Sequence, residues 1–141
     1  HRLIELYLAR HLGISLDRVD AEADRLEHVI SEELEERIAH SLGEPTHDPH
    51  GDPIPTREGA VDDVQHPLLS ELQPGQRGVV ARVSDRDPAV LRGLDEQHLV
   101  PGVTVQVTAV TSDGSVRLRA GRADRQLSSD QARAVQVALR P

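Results

Sequence analysis

The sequence predicts an α+β protein: a helical N-terminal third followed by a small, strongly curved β-barrel. Three observations carry this. Up to residue 43, apolar residues recur at steps of three and four. From Glu44 to Pro67 that periodicity vanishes and five of the nine prolines appear, in "EPTHDPHGDPIPTREGAVDDVQHP", a semi-stiff connection because proline fixes the backbone and removes a donor. Beyond it the apolar residues fall into short β-rich runs, and such strands are best protected by closure of the sheet, which removes exposed edges.

The first helix, "HRLIELYLARHL", carries Leu3, Ile4, Tyr7, Leu8 and Leu12 on its apolar side and stops at Gly13, a favourable C-terminal cap. A second starts after Ser15, a suitable N-cap, and aligns Leu16, Val19, Ala23, Leu26 and Ile30 in a packing seam. The third follows Ser31, with Glu32 and Glu33 in its first turn where acids suit the helix dipole, and is expected to bury Leu34, Ile38 and Leu42 before Gly43. Three helices this short do not enclose a core, so a partner surface is expected. In the second half "GVVARV", "VTVQVTAV", "SVRLRA" and "VQVAL" read as strands, with Asp113-Gly114 as a hairpin turn. Asp87-Pro88 caps and opens a helix, "PAVLRGLDEQHL".

Composition bounds the function. The 141 residues include one tyrosine and no Phe, Trp, Met or Cys, so the core is built from Leu, Val, Ile and Ala and is thin. Help from dimerisation or bound metal is therefore plausible. A formal charge of -8 opposes binding to nucleic acid or an anionic membrane, and attracts divalent cations. The lack of cysteine excludes disulfides and thiolate ligands and suits a cytoplasmic protein. No apolar run approaches the roughly 20 residues that cross a bilayer, so no membrane partner is expected. Because the chain starts at His1, within a helical pattern, it is expected to be part of a longer protein.

The stretch "DAEADRLEHV", Asp20 to Val29, concentrates acids and a histidine. At about 100° per residue, with Asp20 at zero, Asp24 falls at about +40°, Glu27 at about -20° and His28 at about +80°. The seam covers about -120° to -40°, so the polar cluster borders it instead of lying opposite. Asp20 and Asp24, like charges one turn apart, need compensation by a cation or by solvent. His1 and Glu5 share a face of the first helix in the same way. Carboxylates and imidazoles together suit Mn²⁺, Fe²⁺ or Zn²⁺, while a solvated or salt-bridged face remains the alternative. There is no His-Glu-x-x-His motif, phosphate loop or nucleophile arrangement, so an enzyme is not expected.

"HRLIELYL", "AEADRLEHVISEELEERI" and "DPHGDPIP", in that order and ahead of a small β domain, resemble the diphtheria toxin repressor family of metal-dependent transcriptional repressors. The resemblance implies a helical dimerisation and metal-binding domain over residues 1–56, a linker over 57–67 and an SH3-like, FeoA-type domain over 68–141. It implies that the family's N-terminal DNA-binding domain lies outside this chain. By position, Glu27 and His28 match the family's Glu-His pair at the metal, and His1 and Glu5 match ligands from the preceding helix. Asp24 falls where iron-sensing members place a cysteine, and Asp20 where many place a histidine. In "VSDRDP", Asp85 is the candidate for an ancillary ligand from the C-terminal domain, while Asp87 reads as a helix cap. His47 and His50, flanking Asp48, could ligate a metal, but a structural role in directing the loop is the preferred reading. His11, His40, His66 and His98 read as surface or packing residues.

An oxygen at position 24 in place of a sulfur makes the expected site hard, which favours Mn²⁺, with Fe²⁺ next and other divalent metals able to substitute in vitro. The resemblance thus implies the metal-sensing, homodimeric portion of a cytoplasmic repressor of metal-uptake genes, with operator DNA bound only by the full-length protein. The alternative is a dimeric metal carrier or transport accessory built around the FeoA-like half.

Overall fold

The computed structural model describes residues 1–55 and 64–140. The chain divides into two compact units, His1–Asp63 and Val64–Pro141. Residues 57–63 of the expected linker lie outside the described residues.

The first unit holds three helices: α1 (Arg2–Leu12), α2 (Val19–Glu27) and α3 (Glu32–Ser41). Gly13 ends α1 in the left-handed conformation (φ 68°), its N–H returning to the Leu8 carbonyl. The start of α2 differs from the sequence expectation. Residues 16–18 form a turn, and Ser15 contributes its backbone carbonyl, accepting from Arg18 and Val19 N–H at 3.0 and 3.1 Å. The Leu16 carbonyl, expected inside the helix, accepts from the His50 side chain at 3.0 Å. Ser31 does cap α3, its hydroxyl accepting from the Leu34 N–H at 3.2 Å.

Two small apolar clusters bind these helices. Ile4 and Leu8 of α1 pack with Val19 and Ala23 of α2, and Leu6 packs with Ile38 and Leu42 of α3. Val19 and Ala23 are fully buried, and the small Ala23 lets α1 approach the α2 backbone closely. The expected burial of Leu12 and Leu34 is not observed; they are 60% and 46% exposed. Packing on α3 reaches its C-terminal half only, leaving Leu34 uncovered, and Leu12 lies past the last residue of α1 that meets α2.

After α3 the chain folds back through a compact loop. The Asp48 carboxylate accepts the backbone N–H of His50 (2.9 Å) and of Asp52 (2.8 Å), and the Asp48 N–H donates to the Asp52 carbonyl. Gly51, at φ 90°, supplies the left-handed turn this closure requires. The result buries His50 and Asp48 completely.

The second unit is a five-stranded antiparallel sheet of β1 (Arg77–Val83), β2 (Thr104–Val110), β3 (Val116–Ala120), β4 (Ala123–Leu127) and β5 (Val135–Arg140), in the order β4-β3-β2-β1-β5. A helix, α4 (Pro88–Glu96), links β1 to β2, and a single turn of helix, α5 (Ser129–Ala132), links the two outermost strands. Bulges between Val80 and Arg82 and between Val107 and Ala109 add the twist that curls so short a sheet. Val80, Val83, Val105, Val107, Leu118 and Val137 of the strands and Leu91 and Leu94 of α4 are all buried. Gly78 is required where β1 meets β5, because a Cβ there would run into the Ala138 carbonyl and the Val137 side chain. Asp87 caps α4 through the Ala89 N–H (3.0 Å). "ADRQL", too polar to read as a strand, becomes β4 because it continues the hairpin from β3, Leu118 pairing with Arg125. α5 was missed as well, although Ser128 and Gln131 form a capping box there.

At the β2–β3 turn, Asp113 accepts from the Thr111 hydroxyl and from the Ser115 N–H (3.0 Å), and these bonds hold its carboxyl down at about 2. A carboxylate whose pKa is depressed on folding stabilises the native state above its unfolded value, and that contribution is lost as pH falls through the folded one. An NMR titration of the Asp113 carboxyl is expected to give a midpoint near 2, and Asp113→Ala is expected to lower the melting temperature at pH 6 but to have little effect below pH 2.

Candidate metal centre

The packing of α1 on α2 brings the polar border of each helix together. His1, at the N-terminal boundary of α1, sits at the meeting point. Its Nε2 is 2.7 Å from Asp20 Oδ1 and 3.2 Å from Glu5 Oε1, and its Nδ1 is 2.8 Å from Glu27 Oε2. Asp24 joins the second side of this arrangement: one ligand atom each from His1, Asp24 and Glu27 falls within 4.8 Å of the others. The same holds for His1, Glu5 and Asp20. Five of the seven residues expected at the site, His1, Glu5, Asp20, Asp24 and Glu27, thus converge in two groups that share His1.

The other two are in neither group. His28 follows the last residue of α2, is 76% exposed, and approaches only Glu27 (3.6 Å). Its angle, the furthest of the four from the packing seam, turns it toward solvent. Asp85 is an exposed residue of the loop between β1 and α4, in the second unit, and none of the convergent groups includes it.

A third group lies deeper: Glu5, Asp48 and His50, all buried. His50 Nδ1 is 3.3 Å from Glu5 Oε2 and 3.9 Å from Asp48 Oδ2, and Arg2 Nε stands 3.7 Å from Asp48 Oδ2. Glu5 is therefore common to the outer and inner groups. The contact of His50 with Glu5 was not foreseen in the sequence. The available signal was the "DPHGDP" spacing, in which an Asx-type turn at Asp48 throws the side chain two residues later back toward the helices.

The surroundings of both histidines favour the charged form. Burial alone disfavours the charged form of His1, but the carboxylates of Asp20, Glu27 and Glu5 outweigh it and raise its pKa. Burial opposes charge at His50 too, and there Asp48, Glu5 and the Leu16 carbonyl push it up to about 10. These imidazolium ions balance a cluster of acids that would otherwise repel one another. The outer donor set of four carboxylates and one imidazole is hard, and the chain has no sulfur to soften it. It suits a divalent cation of the manganese or ferrous type.

Residues 1–56 match the family model described as "Iron dependent repressor, metal binding and dimerisation domain", and residues 68–139 match the FeoA domain. The chain is 32% identical over 149 aligned positions to the iron-dependent repressor IdeR of Mycobacterium tuberculosis, covering 97% of this chain and 65% of that protein. It is 34% identical over 84 positions to the diphtheria toxin repressor of Corynebacterium diphtheriae, covering 60% of this chain and 35% of the relative. Two structures described as manganese-dependent transcriptional repressors, one of them in complex with manganese, superimpose with TM-scores of 0.89 and 0.85. They are 37% and 36% identical, over 99% of this chain and 76% and 67% of theirs. The chain belongs to the iron-dependent (diphtheria toxin) repressor family. The resemblance carried by its helices and its Asp-Pro-His-Gly-Asp-Pro loop is thereby confirmed. The chain spans about two thirds of the length of the curated relatives it matches along its whole extent, 65% for IdeR. No helix among the described residues is long and apolar enough to cross a membrane.

Proposed function

We propose that this chain is the metal-sensing and dimerising portion of a metal-dependent transcriptional repressor that controls metal-uptake genes in the cytoplasm, and that Mn²⁺ is the ion it senses, ahead of Fe²⁺. The observation that carries this reading is the convergence of four carboxylates on His1 with no sulfur among the donors. When bound, a divalent cation supplies positive charge and directional coordination to this cluster. His1 and Glu5 hold it from α1, and Asp20, Asp24 and Glu27 from α2. His28 belongs to the proposed set as the partner of Glu27 in the Glu-His pair, and Asp85 as an ancillary candidate. Ordering these side chains favours one arrangement of the two helices, and that preference is what a DNA-reading domain upstream of His1 would respond to. Operator binding belongs to the full-length protein, and these acidic 141 residues take no part in it. No catalytic role is assigned to the chain.

The carrier alternative accounts for the FeoA-like half alone, whereas the match over residues 1–56 is to a repressor's metal-binding and dimerisation domain. A helix-turn-helix pattern in the residues encoded upstream of His1 is expected. A parent protein without one would eliminate the repressor reading.

Calorimetry of the chain with Mn²⁺ is expected to show binding that Asp24→Ala and Glu27→Ala each weaken by more than about 10-fold, the loss that even an outer partner of a ligand causes. If neither substitution weakens it, the ligand assignment is wrong. Asp24→Cys is expected to shift preference from Mn²⁺ toward softer ions such as Zn²⁺.

Dimerisation through the helical unit is part of the same proposal, supported by apolar residues left uncovered there: Leu12, Val29 (77% exposed) and Leu34. Sedimentation analysis is expected to give a dimer for the chain and a monomer, at the same concentration, for Leu34→Glu. A monomeric parent chain would refute this.

A further inference from the structure

The two oxygens of Glu5 face different partners. Oε1 lies 3.2 Å from His1 Nε2 in the outer group, and Oε2 lies 3.3 Å from His50 Nδ1 in the inner one. A glutamate on a helix face ordinarily rotates freely at its carboxyl end; this one is 4% exposed and is gripped from behind. The grip is itself braced. The His50 ring is oriented by its other nitrogen, Nε2, which donates to the Leu16 carbonyl at 3.0 Å, and its backbone is fixed by the Asp48 carboxylate. Asp48 Oδ2 faces the same ring nitrogen at 3.9 Å and is steadied by Arg2 at 3.7 Å. His50 thus has one ring nitrogen hydrogen-bonded to a backbone carbonyl and the other in a charge contact with Glu5 and Asp48 that lacks hydrogen-bond geometry, and a partner of this kind behind a metal ligand restricts how that ligand turns.

We propose that His50, braced by Asp48 and Leu16, is a positioning residue that holds back one oxygen of Glu5, so that Glu5 offers a single oxygen to the metal and the centre favours small ions over large ones. The proposal rests on the reading of Glu5 as a ligand. Its chemical basis is that large, oxygen-seeking ions such as Ca²⁺ gain from carboxylates that turn to bind through both oxygens, whereas a small ion with stricter geometry does not need this. An anchored Oε2 denies the larger ion its second contact.

The experiment compares Mn²⁺ and Ca²⁺ binding by calorimetry in the whole chain, with circular dichroism to verify the helices. His50→Phe keeps the ring volume and removes the donor. It is expected to weaken Mn²⁺ by about 10- to 100-fold, as loss of an outer partner does, and to weaken Ca²⁺ less, narrowing the preference between them. His50→Asn places an amide N–H where Nδ1 stood and is expected to restore most of both. If His50→Phe loses its helical signal, Asp48→Asn, which removes the charge behind the ring, is expected to move the preference the same way to a smaller extent.

Glu5→Gln separates the two readings. If it leaves Mn²⁺ binding unchanged, Glu5 is not a ligand and the positioning role falls with it. If it weakens binding while the donor-removing variant that folds leaves affinity and preference unaltered, positioning alone is overturned. Loss of one whole equivalent of metal in both His50 variants, with the rest bound as before, would make His50 a ligand itself and also overturn the proposal.

Discussion

The contact on which the centre depends is the close packing of α1 against α2 through Ile4, Leu8, Val19 and Ala23. It contains no polar atom, yet it decides where the candidate ligands on these two helices go. His1 and Glu5 lie on the border of the α1 apolar stripe, and Asp20, Asp24 and Glu27 on the border of that of α2. Once the stripes meet, the borders must face each other. Burial of four aliphatic side chains, each worth about 1–3 kcal/mol, is thus opposed by the repulsion it creates among the acids brought together at its edge. His1 relieves this repulsion in the outer group and His50 in the inner one.

That opposition gives the helical unit its character. Its two apolar clusters are small, and its acids are held together by cations that can be exchanged. A divalent ion placed among the same carboxylates compensates them more strongly than a single imidazolium does, and binding only the native arrangement raises its stability in proportion to ion concentration. The helical unit is thus a pair of short helices whose packing is opposed by the charge along its margin.

Much of this was legible in the sequence, and the failures have physical reasons. The three-and-four spacing revealed the helices and the seam, and the 100° step placed Asp20, Asp24 and Glu27 at its edge. The same arithmetic put His28 furthest round, and its exposure follows from that angle. The later start of α2 was hidden because Ser15 has cap chemistry, while the Leu16 carbonyl is engaged by His50 from 34 residues away. The strand β4 was hidden because its residues are polar on the outside and it is recruited by pairing with β3. Leu12 and Leu34 fit the helical period but not the actual extent of the packing surface, which no single-chain pattern records.

The least legible feature is the contact between His50 of the loop and Glu5 of the helix. The "DPHGDP" spacing signals a turn that sends the His50 side chain back toward the helices, but not that it will reach Glu5, because the distance along the chain is long and the effect depends on how the loop closes. Asp48 closes it by accepting two backbone N–H groups with one carboxylate oxygen, which leaves the other oxygen for the ring of His50. One aspartate thus shapes the backbone and charges the environment of the side chain that it delivers. Glu5 stands between the results: one oxygen faces His50 of the loop and the other faces His1. The loop thus supplies the imidazole behind Glu5, while α2 supplies three of the four carboxylates of the outer groups.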